Sequence, residues 1–317
     1  MTHPPHYRTG VACAIIGAIA FSGKSIIIKL AYQHGVDAVT LLMFRMLFAM
    51  PFFVVIGLWA GRGKVALSVR DWLGVLLLAF VGYYLGSFLD FAGLQYITAS
   101  LGRLIMYLNP TLVLLIGLVV LGKRINPWQV IAMTISYAGI ALVFGHELYL
   151  TGAAKSPQSA HDIWLGSGLV FLAALSYAVY LLYSGELVKR VGGIRLASLA
   201  TSVAAVMCVL QFVLLRPLDV ALQTAPAVLW LSLLNAVACT VLPVLLVMMA
   251  VERIGPALAS QIGMVGPVAT LVMGALILDE PFTPWVMVGT VLVIGGVWFV
   301  AKFGQQKTFI TKESNNV

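Results

Sequence analysis

Five ionisable side chains stand in positions that a water-soluble chain rarely uses. Lys24, Lys29, Arg45 and Arg103 fall inside long apolar runs, and so does Asp90. A charge near the centre of a bilayer costs roughly 2.5–3.5 kcal/mol on insertion scales, so such residues face a bundle interior or an aqueous cavity and mark binding or ion pathways. Four cations against one carboxylate leave a positive surplus, which suits an anionic or carboxylate-bearing ligand. Lys24 and Arg103 are the candidates to hold that carboxylate. Tyr83, Tyr107 and Asn109 are candidates to orient the rest of the molecule, and Asp90 to balance charge or carry a proton. Arg45 and Lys29 read either as structural cations or as cavity wall, and Lys29 is close enough to a helix end to snorkel. The plain alternative is a set of ion pairs clamping helices together, but one carboxylate cannot neutralise four cations.

Helical spacing groups these residues. Tyr83, Gly86, Ser87 and Asp90 recur at i, i+3, i+4, i+7, which predicts one polar face. Arg103, Tyr107 and Pro110 share a face of the next helix, and Phe21, Lys24 and Ile28 a face of the first. Pro51, Pro110, Pro243 and Pro267 lie within apolar runs, where each removes a backbone hydrogen bond and can kink the helix. Pro110 and Pro267 read as kinks or gates.

The elements that must carry these residues follow from composition. Of 317 residues, 61% are hydrophobic and 9% charged. Soluble domains run near 25% charged, which argues against a soluble enzyme or nucleic-acid-binding domain. About 20 apolar residues make one span, and ten segments fit: about 9–31, 38–59, 72–93, 98–121, 127–145, 163–184, 196–215, 227–249, 256–278 and 283–302. The expected fold is therefore an all-α integral membrane protein of ten transmembrane helices. Residues 8–145 and 163–303 form two five-helix units, 146–162 connects them, and 304–317 is a polar tail expected to lack structure.

The two units repeat at an offset of 157. Ile97 falls on Ile254, Pro110 on Pro267, Gly117 on Gly274, Pro127-Trp128 on Pro284-Trp285 and Gly139 on Gly296. An odd number of spans per unit inverts the second copy, so the units read as inverted repeats related by an axis in the membrane plane. The basic residues set the orientation. Thirteen of the 19 Lys and Arg fall on the side of the N-terminus, and two, Lys155 and Arg216, on the other. The positive-inside rule then puts both termini in the cytoplasm and the 146–162 segment outside. The same rule accounts for the net charge of +8 without nucleic acid.

Other signals are weak. Arg8 and the run to Ala20 resemble a signal peptide, but the apolar run resumes at Ile26, which makes it an uncleaved first span. Gly23-Lys24-Ser25 lacks the leading glycine of a phosphate loop. Cys13, Cys208 and Cys239 read as packing residues, and no His/Cys/Asp/Glu set has metal-ligand spacing. No metal or cofactor is expected. Gly82 and Gly86 permit close helix contact, more simply within the chain than between chains, so a monomer or a homodimer is open. Tyr177, Tyr180 and Tyr183 either line an inner cavity or pack.

With these residues in view, the chain resembles the EamA-like branch of the drug/metabolite transporter superfamily. The resemblance rests on Phe21-Ser22-Gly23 through Lys29, on Phe44-Arg45, on Pro110 through Gly122, and on Pro267 through Glu280, which ends in the acidic residue typical of the family. It implies export of amino acids, related metabolites or drugs by alternating access, with Lys29 and Arg45 as usual basic positions. Lys123 departs from the Glu often found there, and Lys24 and Arg103 are outside the general pattern. A secondary transporter for an amino acid or small organic anion in the cytoplasmic (inner) membrane is the resulting expectation. A multidrug exporter, a membrane enzyme and a lipid-carrier flippase subunit are the alternatives. The basic cavity argues against lipophilic cations, and the lack of an interfacial His/Asp/Glu cluster argues against an enzyme.

Overall fold

The computed structural model describes residues 5–122, 126–153 and 160–313, and all regular structure among them is helical. Ten helical segments are numbered here: α1 Pro5–Tyr32, α2 Ala38–Gly61, α3 Val69–Leu94, α4 Ala99–Val120, α5 Pro127–Ala153, α6 Ala160–Val191, α7 Gly193–Leu215 and α8 Pro226–Ile254. α9 is in two pieces, Pro256–Gly263 and Gly266–Ile277, and α10 spans Pro284–Glu313. A five-residue helix, Leu218–Leu222, lies between α7 and α8.

Among the described residues, eight helices are long and apolar enough to cross a membrane, and Gly266–Ile277 and Pro284–Phe299 are shorter apolar helices. The chain is thus a multi-pass membrane protein. Boundaries differ from the sequence reading where capping decides them. α3 starts at Val69 rather than near 72 because Ser68 and Asp71 form a reciprocal capping box, which satisfies backbone donors at both residues. α5 continues to Ala153 and α6 starts at Ala160, both within the segment read as a connection. Residues 154–159, with Lys155 and Ser156-Pro157-Gln158-Ser159, lie outside the described residues, as do Lys123 and Arg124. The tail does not become irregular at 304: the α10 backbone stays helical to Glu313, and no proline follows to stop it.

Two irregularities recur at matched places. α3 contains a π turn at Ala79–Leu85 and α8 one at Val237–Val241. α4 breaks at Tyr107–Leu108, before Pro110, and α9 at 264–265, before Pro267. Proline suits the first turn of each restarted helix, where no intrahelical donor is needed.

The main contacts between the halves pair α1 with α8, α3 with α6, α2 with α7 and α5 with α10. Exchanging the halves maps α1–α8 onto α6–α3 and leaves the other two pairs unchanged. At α5–α10 the backbones nearly touch, since a Cβ on Gly289 would stand 2.7 Å from the Gly139 carbonyl oxygen. α3 also needs a glycine, because Gly82 faces the Tyr180 ring of α6 with no room for a Cβ. That glycine serves packing within the chain.

Polar contacts define two ends. At the end away from the N-terminus, called distal, Asp37 meets Arg216 at 3.4 Å and caps α2 through Val39 and Thr40. At the proximal end Arg190 meets Asp71 at 2.7 Å, and Arg195 donates to the Val65 carbonyl.

Candidate functional site

The sequence-marked charges gather in the distal half, around α1, α2, α3 and α4, with α8 and α9 against them. Lys24 of α1 and Asp90 of α3 form an ion pair, Nζ to Oδ2 2.6 Å, with side chains 12% and 6% exposed. Lys24 therefore has its charge compensated, and Asp90 is its partner. The Phe91 ring lies beside both Lys24 and Arg45, with ring-centroid distances of 5.7 and 5.3 Å. Such contacts favour a cation over an aromatic face.

Arg45 is 7% exposed. Its Nε donates to the Thr240 hydroxyl at 3.3 Å, while Nη1 is buried with no hydrogen-bond partner. Thr240 sits inside the π turn of α8 and donates in turn to the Asn235 carbonyl. Asn235 reaches the Lys24 carbonyl through its amide, at 3.4 Å. Among the described residues the Arg45 guanidinium has the Thr240 hydroxyl and the Phe91 ring but no ion-pair partner, and a buried charge without one is costly.

Arg103 forms a second group, between α1, α4 and α9. Its Nη2 donates to the Ser22 hydroxyl at 3.4 Å, and its guanidinium lies 4.9 Å from the Phe21 ring and 5.3 Å from the Tyr107 ring. Its Nε is buried with no hydrogen-bond partner, and so is Asn109 Oδ1. Tyr107 donates to the Gly263 carbonyl in the α9 break, and Ser22 to the Gly266 carbonyl. Gly266 has no side chain to spare: a Cβ there would lie 2.7 Å from the Tyr107 hydroxyl and 3.1 Å from Arg103 Nη2. The two broken helices thus meet at their breaks, with Arg103 between them. Arg45 shares the Phe91 ring with Lys24, and Arg103 reaches Ser22, two residues before Lys24, from the other side. With Asp90 these are, among the described residues, three cations and one carboxylate, a surplus of positive charge beside a pair already neutralised.

Not all the sequence-marked residues join them. Tyr83 packs against the core that holds Phe91, but its hydroxyl is directed elsewhere. Its hydroxyl is 3.3 Å from that of Tyr180, whose ring stacks on Tyr177. The physical reason is the π turn, which encloses one residue more than an α turn and so breaks the 3.6-residue spacing between Tyr83 and Asp90. Lys29 donates to the Leu94 and Ile97 carbonyls at 3.2 and 3.0 Å, fastening the end of α3. Pro110 is exposed on the outside of the bundle, whereas Pro267 is buried. Sequence reasoning gave no role to Thr240, Asn235, Ser22 or Glu147. Thr240 had a signal, since it stands 157 residues after Tyr83, but the π turns that make this position special leave no mark in composition.

The model of the EamA-like transporter family matches residues 8–145 and 164–302. The chain belongs to the EamA-like transporter family. Relatives support the assignment over nearly the full length. The uncharacterized transporter YcbK of Bacillus subtilis (strain 168) is 32% identical over 302 residues, covering 92% of this chain and 91% of its own. A WAT1-related protein of Arabidopsis thaliana is 24% identical over 334 residues, covering 96% and 93%. A chain of known crystal structure superposes with a TM-score of 0.61 over 94% of this chain and 98% of its own, at 15% identity, which indicates a common fold. As an EamA-family chain, the protein carries these buried charges on helices shared with a family of transporters.

Proposed function

We propose that this EamA-family chain is a secondary transporter that exports an amino acid or another small organic anion across the cytoplasmic (inner) membrane by alternating access. In this reading ten spans form two inverted five-helix repeats, both termini are cytoplasmic, and the distal end is outside. The matched π turns and helix breaks, and contacts that survive exchange of the halves, favour the repeat. The observation that carries the anionic ligand is Arg103. Among the described residues its guanidinium, where the two broken helices meet, has no ion-pair partner, and its Nε is buried without an acceptor. Arg103 takes the substrate carboxylate, with Tyr107 and Asn109 beside it. The Lys24–Asp90 pair supplies a neutral wall that a zwitterion can also address, and Arg45 adds positive potential. Tyr83 contributes from the Tyr177–Tyr180 cluster, and Pro110 and Pro267 set the breaks about which the helices bend. The partners are a small carboxylate-bearing molecule and membrane lipid, for a monomer or homodimer without cofactor.

The test is Arg103→Gln in proteoliposomes, with a carboxylate substrate found by comparing media from overexpressing and deletion cells. Loss of one charge-assisted hydrogen bond weakens binding of the acid by about 1.5–3 kcal/mol, while the amide analogue changes little. Equal loss for acid and amide, or loss of folded protein, would make Arg103 a helix clamp and remove the anionic reading.

A further inference from the structure

The turn from α3 into α4 is gripped from three sides. Lys29 of α1 holds the Leu94 and Ile97 carbonyls. Glu147 of α5 accepts from the Thr98 backbone N–H at 2.9 Å and from its hydroxyl at 3.4 Å. Glu280, from the segment joining α9 to α10, accepts from the Ala99 N–H, from the Ser100 N–H at 3.1 Å and from the Ser100 hydroxyl at 2.6 Å. The first N–H groups of a helix have no intrahelical acceptors, and a carboxylate there gains both hydrogen bonds and the favourable end of the helix dipole.

The Glu280 contact is a polar tie from the second half of the chain to the first turn of α4, beside the apolar packing of Ile163 and Val170 on the same end. The backbone is shaped to deliver it. Asp279 adopts φ 54°, a left-handed conformation that a non-glycine residue seldom takes, and Glu280 N–H bonds back to the Gly274 carbonyl at 3.1 Å. Gly274 leaves space for the carboxylate, since a Cβ there would be 2.7 Å from Oε2. Ala99–Met106 is a continuous helical piece. Its first turn is what Glu280 holds, and one turn further on it carries Arg103.

We infer that Glu280 is the latch of the distal gate: its grip on Ala99 and Ser100 keeps the Arg103 site closed on the distal side, and release of that grip frees the helical piece that bears Arg103. The latch is one-sided. At the 157-residue offset the sequence has Lys123 for Glu280 and Ala257 for Ser100, so neither the carboxylate nor the hydroxyl has a counterpart in the other repeat. On this inference access in the resting protein is expected from the proximal end, past the Asp71–Arg190 pair, which places no carboxylate on a helix N-terminus of the other half. The inference rests on the transport reading, but its test needs no substrate, so failure of the anionic-ligand reading leaves it standing.

The experiment is sided labelling of a single cysteine, Ser22→Cys, in a chain whose Cys13, Cys208 and Cys239 are replaced. A membrane-impermeant maleimide is applied from each side of oriented vesicles. With Glu280 intact, labelling proceeds from the proximal side. Glu280→Gln raises the distal rate about tenfold, the scale for loss of one charge-assisted hydrogen bond, and lowers the proximal rate. Ser100→Ala shifts both rates in the same directions by less, and Glu280→Asp retains part of the wild-type bias. A merely structural Glu280 would not reverse sidedness: its loss would raise labelling from both sides. That outcome, or unchanged sidedness, overturns the latch. If Glu280→Gln yields no folded protein, Ser100→Ala decides by the same criterion.

Discussion

Asp90→Asn isolates the energetic role of the buried pair. In the native chain the Lys24 ammonium is 2.6 Å from Asp90 Oδ2, and the two side chains are 12% and 6% exposed, so little water reaches either. The substitution keeps the shape of the side chain but leaves Lys24 charged and without a counter-ion. Breaking a buried pair from one side costs about 3–5 kcal/mol, and the insertion cost of a lone cation is roughly 2.5–3.5 kcal/mol. The Phe91 contact is present before and after, so it cancels. Lys24→Met combined with Asp90→Asn removes the stranded charge, and most of the stability returns. The double-mutant cycle then yields a coupling of about 2–4 kcal/mol, the surplus of the one-sided loss over the two-sided replacement. Reversible unfolding in mixed micelles, followed by tryptophan fluorescence, measures it. Additive single effects, with coupling below about 0.5 kcal/mol, would refute the claim that Asp90 compensates Lys24.

Two further outcomes follow from the ends of the bundle. Asp37→Ala removes the cap of α2 and should cost about 1 kcal/mol at neutral pH. Burial alone would raise the Asp37 carboxyl, but hydrogen bonds from Thr40 and Arg216 outweigh it and hold the group below its ordinary range. The stabilisation is therefore complete above the usual carboxylate pKa and is lost as pH falls through the lowered one. Thermal melts of wild type and variant against pH should converge only at pH below that range, and convergence near neutrality would contradict the assignment. For orientation, cysteines at His34 and Arg62, both exposed at opposite ends, should label from outside and inside respectively, and the reverse pattern would invert the proposed topology.

The helical, membrane-spanning character was legible because apolar runs of span length and isolated charges are local features of the chain. The distal clustering of Lys24, Asp90, Arg45 and Arg103 was also legible, since it needs only helix order and counting from the ends. Partner choice was not. Arg45 meets Thr240 across 195 positions, a contact fixed by packing α2 on α8 rather than by any spacing within either. Tyr83 was read on one polar face with Asp90; the π turn between them interrupts the 3.6-residue period, and no proline or glycine pair announces it. Lys24 was assigned to the ligand from its depth and helix face, with an ion pair as the alternative, and the 2.6 Å contact with Asp90 is that pair. Glu280 was visible as a family-typical acid, but its work depends on the first turn of a helix 180 residues away.

The π turns of α3 and α8 give each of these helices one residue more than a regular α helix of the same length would hold. Such a surplus can travel. Each time it moves by one position, the residue it crosses is re-aimed by about 100°, the angle of one α-helical step, while the hydrogen bonds on either side re-form one register along. In α3 the surplus ends at Leu85, five residues before Asp90; in α8 it surrounds Thr240, the contact of Arg45. Passing it along α3 would turn the carboxylate away from Lys24 with both helix ends stationary. Such a step would unpair the central charges by a change of register within one helix.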